Sequence, residues 1–150
     1  MGKGYKILFT VSIISLMCLF LSACGDSKKD DAKADTVEYK AIDQSAIDQT
    51  VEDMKGRDHI QDASFTVNKN KIEMKIVADD VSNSDKETAR SHADSFLRAI
   101  SLYVDDNKPT KDSYGKIYDG YYVRIVVEDN NGTQAIEGNM YPGIKSITWE

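Results

Sequence analysis

The chain has 150 residues, 19 basic and 25 acidic side chains, and a net charge of −6 at neutral pH. That length suits one domain of ordinary size, and the acidic balance excludes nucleic acid, whose phosphates are met by clustered Lys and Arg. Two histidines and two cysteines are thin means for metal chemistry or nucleophilic catalysis.

Residues 1–24 are built as an export signal. Lys3 and Lys6 supply a short positive segment, and residues 7–21 follow as a fifteen-residue apolar run holding Thr10, Ser12 and Ser15. A membrane-spanning helix needs roughly 20 apolar residues, so this run is too short to serve as one. It closes on Leu21-Ser22-Ala23-Cys24, an aliphatic residue, two small residues and a cysteine. All four positions fit the lipobox, and the segment resembles that of a bacterial lipoprotein precursor. Beyond it, the chain is similar to the small lipoproteins of low-GC Gram-positive bacteria. The resemblance implies a diacylglyceryl group on the thiol of Cys24 and cleavage before that residue. It also implies a mature protein lipid-anchored at the extracytoplasmic face of the cell membrane. Two acyl chains, at about 0.8 kcal/mol per buried CH₂, anchor stably without a transmembrane helix. Removal of residues 1–23 would leave 127 residues with 17 basic and 25 acidic side chains, a net charge of −8. Cys18 would leave with the signal and Cys24 would carry lipid. The folded part would then hold no disulfide, no thiolate nucleophile and no sulfur ligand for zinc.

Residues 25–38 mix both charge signs with almost no large apolar side chain, and such a segment cannot repay the entropy of ordering. Three segments are therefore expected: a signal peptide over 1–23, a lipidated flexible tether over 24–38, and a single domain over 39–150. In the domain, Ile42, Ala46, Ile47, Val51 and Met54 fall at helical spacing across residues 39–56. Asp43 or Ser45 can cap this helix, and Gly56 suits its end. Residues 60–78 change to period two, with Phe65 and Val67, then Ile72, Met74 and Ile76, on one face. Asn68-Lys69-Asn70 separates the two runs, which predicts a β-hairpin.

Ser84 and Glu87 form a capping box ahead of a second helix, whose stripe is Ala89, Ala93, Phe96, Leu97, Ile100, Tyr103 and Val104. Pro109 lies beyond its end. Residues 110–120 are a polar connection containing Tyr114 and Tyr118. Residues 121–128 alternate again, with Tyr121, Val123, Ile125 and Val127 inward. Asp129-Asn130-Asn131-Gly132 is a hairpin turn, residues 133–139 return as a strand, and residues 144–149 make a last short strand with Ile147 and Trp149 inward. The order α-β-β-α-β-β, with a fifth strand at the end, predicts an α+β fold: an antiparallel four- to five-stranded sheet with two helices on one face. That order is similar to the small envelope domains called BON, but their punctuating glycines are missing and no function carries over.

Catalytic candidates are scarce. Neither His59 nor His92 has a partner at metal-site spacing, so each reads as a satisfied or solvated side chain. There is no Gly-x-Ser-x-Gly elbow and no Gly-rich phosphate cradle. Asp79-Asp80 and Asp105-Asp106 sit at element ends, where they cap and solubilise. Gly132 arrives too early for a calcium loop begun at Asp129, and Met140 stands where such a loop needs glutamate. No catalytic residue, metal or cofactor is expected. Tyrosine is the anomaly: Tyr114, Tyr118, Tyr121, Tyr122 and Tyr141 fall within 28 residues. Alternation sends Tyr122 and Arg124 to the face opposite Tyr121. Aromatic residues with arginine compose recognition surfaces, which nominates Tyr114, Tyr118, Tyr122 and Arg124 as a partner-binding set. The bland alternatives are a second face packed by its own loop and an ordinary tyrosine-rich strand. The expected function is a non-enzymatic, lipid-anchored binding or accessory protein of the bacterial envelope, with another envelope protein as partner. The alternatives are a hydrolase of cell-wall polymer using paired carboxylates, or a small-ligand-binding lipoprotein serving a transporter, whose pocket would be hard to fit in a two-layer domain.

Overall fold

The structure, a computed structural model, describes residues 38–150. The expected signal peptide, the lipid-attachment residue Cys24, and the tether up to its last residue all lie outside the described residues.

The first helix, α1, spans Gln44–Lys55. It starts later than the apolar pattern because Asp43 takes an extended conformation, and its carboxylate accepts the Ser45 N–H at 2.7 Å. Ahead of the cap, Tyr39 lays its ring 5.0 Å from that of Tyr121. Ala46, Ile47, Thr50 and Met54 are buried. The Thr50 hydroxyl is satisfied in the core by donating to the Ala46 carbonyl at 2.6 Å. Gly56 closes the helix by donating its N–H to the Glu52 carbonyl.

Strands β1 (Ile60–Asn68) and β2 (Lys71–Ala78) form the expected hairpin, in a register that pairs Phe65 with Met74 and Val67 with Ile72. Lys69 takes the left-handed turn conformation at φ 55°. Helix α2, Lys86–Ala99, then lies over the sheet, and the chain continues through a 3₁₀ turn at Ile100–Leu102. The cap is Asp85 rather than Ser84. The Asp85 carboxylate accepts both the N–H and the hydroxyl of Thr88 at 3.2 and 2.9 Å, while Ser84 Oγ lies 2.9 Å from Ser82 Oγ. A carboxylate offers two acceptors and a negative charge to the helix start, and so outcompetes the hydroxyl one position earlier. Ala89, Ala93, Phe96 and Leu97 pack inward, Phe96 edge-on to Phe65 at 6.1 Å.

Strands β3 (Tyr122–Glu128), β4 (Gln134–Met140) and β5 (Thr148–Trp149) complete a five-stranded sheet in the order β1-β2-β3-β4-β5. The sheet is mixed, which corrects the fully antiparallel expectation. β2 and β3 run parallel, with Ile72 beside Val123 and Met74 beside Ile125, while the other pairs are antiparallel. The reason lies in α2. A 14-residue helix covers about 21 Å, close to the length of β2, so it returns the chain to the end where β2 began. The next strand must then run the same way.

Ile72, Met74, Ile76, Val123, Ile125, Val127, Ile136 and Met140 all face the helices and are buried. The last strand is shorter than expected, since only Thr148 and Trp149 pair with β4 and Ile144 is exposed. Ile147 and Trp149 do turn toward the core, over Gly138. A Cβ there would meet the Trp149 ring at 2.5 Å and Ile147 at 2.6 Å, so glycine is what lets the ring lie flat on β4.

Candidate functional site: the open face of the sheet

With Val123, Ile125 and Val127 committed to the helices, Tyr122, Arg124, Val126 and Glu128 project from the opposite face. On β4 the same face carries Glu137 and Asn139, whose register partners are Val126 and Arg124. These side chains are tied into one network. The Tyr122 hydroxyl donates to Asn139 Oδ1 at 2.8 Å, and Asn139 Nδ2 donates to Glu137 Oε1 at 3.2 Å. Arg124 then grips both oxygens of Glu137, with Nε at 2.8 Å and Nη2 at 2.7 Å. This two-pronged geometry fixes the guanidinium plane as well as its position. Those hydrogen bonds hold the Glu137 carboxyl below its ordinary range and lift Arg124 above its own.

The guanidinium still faces solvent, at 41% side-chain exposure, while Glu137 beneath it is at 17%. Beside them Tyr141, exposed at the end of β4, meets the Tyr122 ring edge-on at 5.3 Å. A second ion pair, Lys75 to Glu128 at 2.7 Å, borders a shallow concavity of ≈ 320 Å³ that also includes Thr66, Glu73 and Arg124.

The four nominated residues do not share this face. Tyr118 is buried in the core, where its hydroxyl donates to the Leu97 carbonyl at 2.8 Å and burial raises its pKa strongly. The turn Lys116–Tyr118 puts it there, pinned by Asn107, whose side-chain oxygen accepts the Ile117 N–H at 3.0 Å. Gly115 at φ 100° makes room for that side chain, since a Cβ would stand 2.0 Å from Asn107 Oδ1. Tyr114 is half-buried beneath the Arg98 guanidinium, 5.0 Å from its ring centre, and Arg98 is in turn held by Asp94 at 2.8 Å. Burial, then the Asp94 charge, pushes the Tyr114 hydroxyl up to about 12. The expected set is therefore divided, with Tyr114 and Tyr118 packed against the core and Tyr122 and Arg124 on the open face. Tyr141 joins the latter pair, and its signal in the sequence is its place at the strand end before Pro142.

A second constellation escapes local sequence spacing. His59 lies against Asp79 and His92 against Asp80, each at 2.9 Å. Both histidines thus have carboxylate partners that metal-motif spacing does not reveal, and the Asp79-Asp80 pair does more than end a strand.

No protein family, curated protein or solved structure matches the chain. Among the described residues, no helix is long and apolar enough to cross a membrane.

Proposed function

We propose that this protein is a non-enzymatic binding or accessory protein, lipid-anchored through Cys24 at the extracytoplasmic face of a bacterial cell membrane. In this reading it recognises another envelope protein through the open face of its sheet. The observation that carries the reading is the hydrogen-bonded run Tyr122–Asn139–Glu137–Arg124, which fixes an aromatic ring and a guanidinium on the face opposite the helices. Ordering a long side chain at an interface costs about 0.5–1.5 kcal/mol, and side chains already held in place avoid much of that cost. Tyrosine and arginine are also the residue types that dominate interface energetics. For the anchor, the support is the pattern of residues 1–24, in which a short positive segment and an apolar run end on Leu21-Ser22-Ala23-Cys24.

Photo-crosslinking in intact cells tests both parts. A benzoylphenylalanine in place of exposed Tyr141 should give a discrete protein adduct, and one in place of exposed Arg90 on α2 should give none. In the same cells Cys24→Ala should remove fatty-acid label from the protein. Equal adducts from both positions would sink the open-face reading, and persistent fatty-acid labelling of Cys24→Ala would sink the anchor.

A further inference from the structure

Both histidines of the chain approach one aspartate pair at one end of the sheet. His59 precedes β1 in a left-handed backbone conformation, φ 69°, and its carbonyl accepts the Asp79 N–H at 3.0 Å. Its Nδ1 lies 2.9 Å from Asp79 Oδ1, and donor atoms of His59, Asp79 and Asp80 all fall within 4.8 Å of one another. Each carboxylate is also steadied from outside that trio. Gln61 Nε2 donates to Asp79 Oδ2 at 2.8 Å, and His92, reaching down from α2, sets its Nε2 2.9 and 3.1 Å from the two oxygens of Asp80. An imidazole nitrogen and two carboxylates thus converge on one point, and each carboxylate is held by a further side chain outside the trio, the arrangement of metal ligands with an outer shell.

We propose that His59, Asp79 and Asp80 bind a divalent first-row transition metal, zinc in the first instance, with Gln61 and His92 as positioning residues for the two carboxylates. An imidazole nitrogen with two carboxylate oxygens is a ligand set for zinc, at about 2.0–2.2 Å per bond. Calcium would call for 6–8 oxygens. Donors around a tetrahedral ion stand about 3.3–3.5 Å apart, so the 2.9 Å His59–Asp79 hydrogen bond must open and donors spread up to 4.8 Å must close by side-chain rotation. The side chains of His59 and Asp79, at 59% and 39% exposure, have the freedom to do so. Water would take the fourth position. Outer-shell hydrogen bonds of the kind made by His92 and Gln61 orient metal ligands, and their loss costs about 10–100-fold in affinity.

The full chain, purified in detergent and stripped with chelator, is titrated with zinc chloride by calorimetry, and histidine side-chain nitrogens are followed by NMR. One equivalent should bind, with the His59 Nδ1 resonance moving on saturation. His59→Asn, which tolerates the left-handed backbone, and Asp80→Asn should each weaken binding by at least about 100-fold, beyond the outer-shell range. His92→Gln should weaken it by about 10–100-fold and leave the metal-free melting temperature in place. Absence of binding, binding that His59→Asn leaves intact, or a preference for calcium over zinc would each overturn the proposal.

Discussion

Tyr121 and Tyr122 are neighbours in sequence and opposites in fate. On the covered face of the sheet, Tyr121 is fully buried, its ring against Tyr39 and its hydroxyl donating to the Lys40 carbonyl at 2.9 Å. On the open face, Tyr122 stays partly exposed and spends its hydroxyl on another side chain, Asn139. Polar groups on the covered side are satisfied by backbone, as Tyr118 is by Leu97 and Thr50 by Ala46. Those on the open side are satisfied by one another. The difference separates what holds the fold from what is available to a partner, and substitutions on the two faces should behave accordingly.

The largest effect is expected on the covered face. Phe96 has no exposed surface and packs edge-on against Phe65, so Phe96→Ala should cost about 3–5 kcal/mol. That is a large fraction of a domain's stability, usually about 5–15 kcal/mol, and chemical denaturation would measure it. A loss below about 1 kcal/mol, the size of a surface effect, would mean that the helices do not press on the sheet as described.

Alkali probes the same contrast more finely. Burial raises the pKa of Tyr118, and raises Tyr114 to about 12. A folded-state pKa above the unfolded value contributes stability that is whole below that unfolded value, 10.0 for tyrosine, and is lost as pH rises through the folded one. Stability should therefore fall above about pH 10. Absorbance titration should show Tyr114 ionising near pH 12, and Tyr118 ionising only as the chain unfolds. Tyr118→Phe, which removes one buried hydrogen bond, should cost about 1 kcal/mol. Tyr118 ionising near 10.0, before the chain unfolds, would contradict its burial.

Much of the fold was legible in the residues because the two apolar periods survive in the structure. Period two marked β1 to β3, the turn at Asp129-Asn130-Asn131-Gly132 marked the return through β4, and the 3.6-residue stripes marked both helices. Strand direction was not legible, because Val123, Ile125 and Val127 alternate identically whether β3 runs with β2 or against it. The helix cap slipped by one residue because Ser84 and Asp85 are both good caps and only their neighbours decide between them. The site was half legible. Alternation placed Tyr122 and Arg124 correctly on the open face, but residues 110–120 have no period, and the contact between Asn107 and Ile117 that turns Tyr118 inward is a tertiary one. The histidine–aspartate cluster was hidden further still. A bulge between Ile60 and Asp62 shifts the hairpin register, so that His59 rather than Ile60 comes to face Asp79.

The most direct measurement is the Tyr122→Ala, Arg124→Ala double variant, assayed side by side for melting temperature and for capture of the partner crosslinked through position 141. Truncating Tyr122 and Arg124 removes their hydrogen bonds to Asn139 and Glu137, at a cost of about 1–3 kcal/mol in stability, whereas a hot-spot tyrosine or arginine carries about 2 kcal/mol or more of binding. The variant should melt cooperatively, with a smaller fall than Phe96→Ala, and should lose the captured partner. A partner retained at full yield, or a melt that falls as far as that of Phe96→Ala, would contradict the open-face reading.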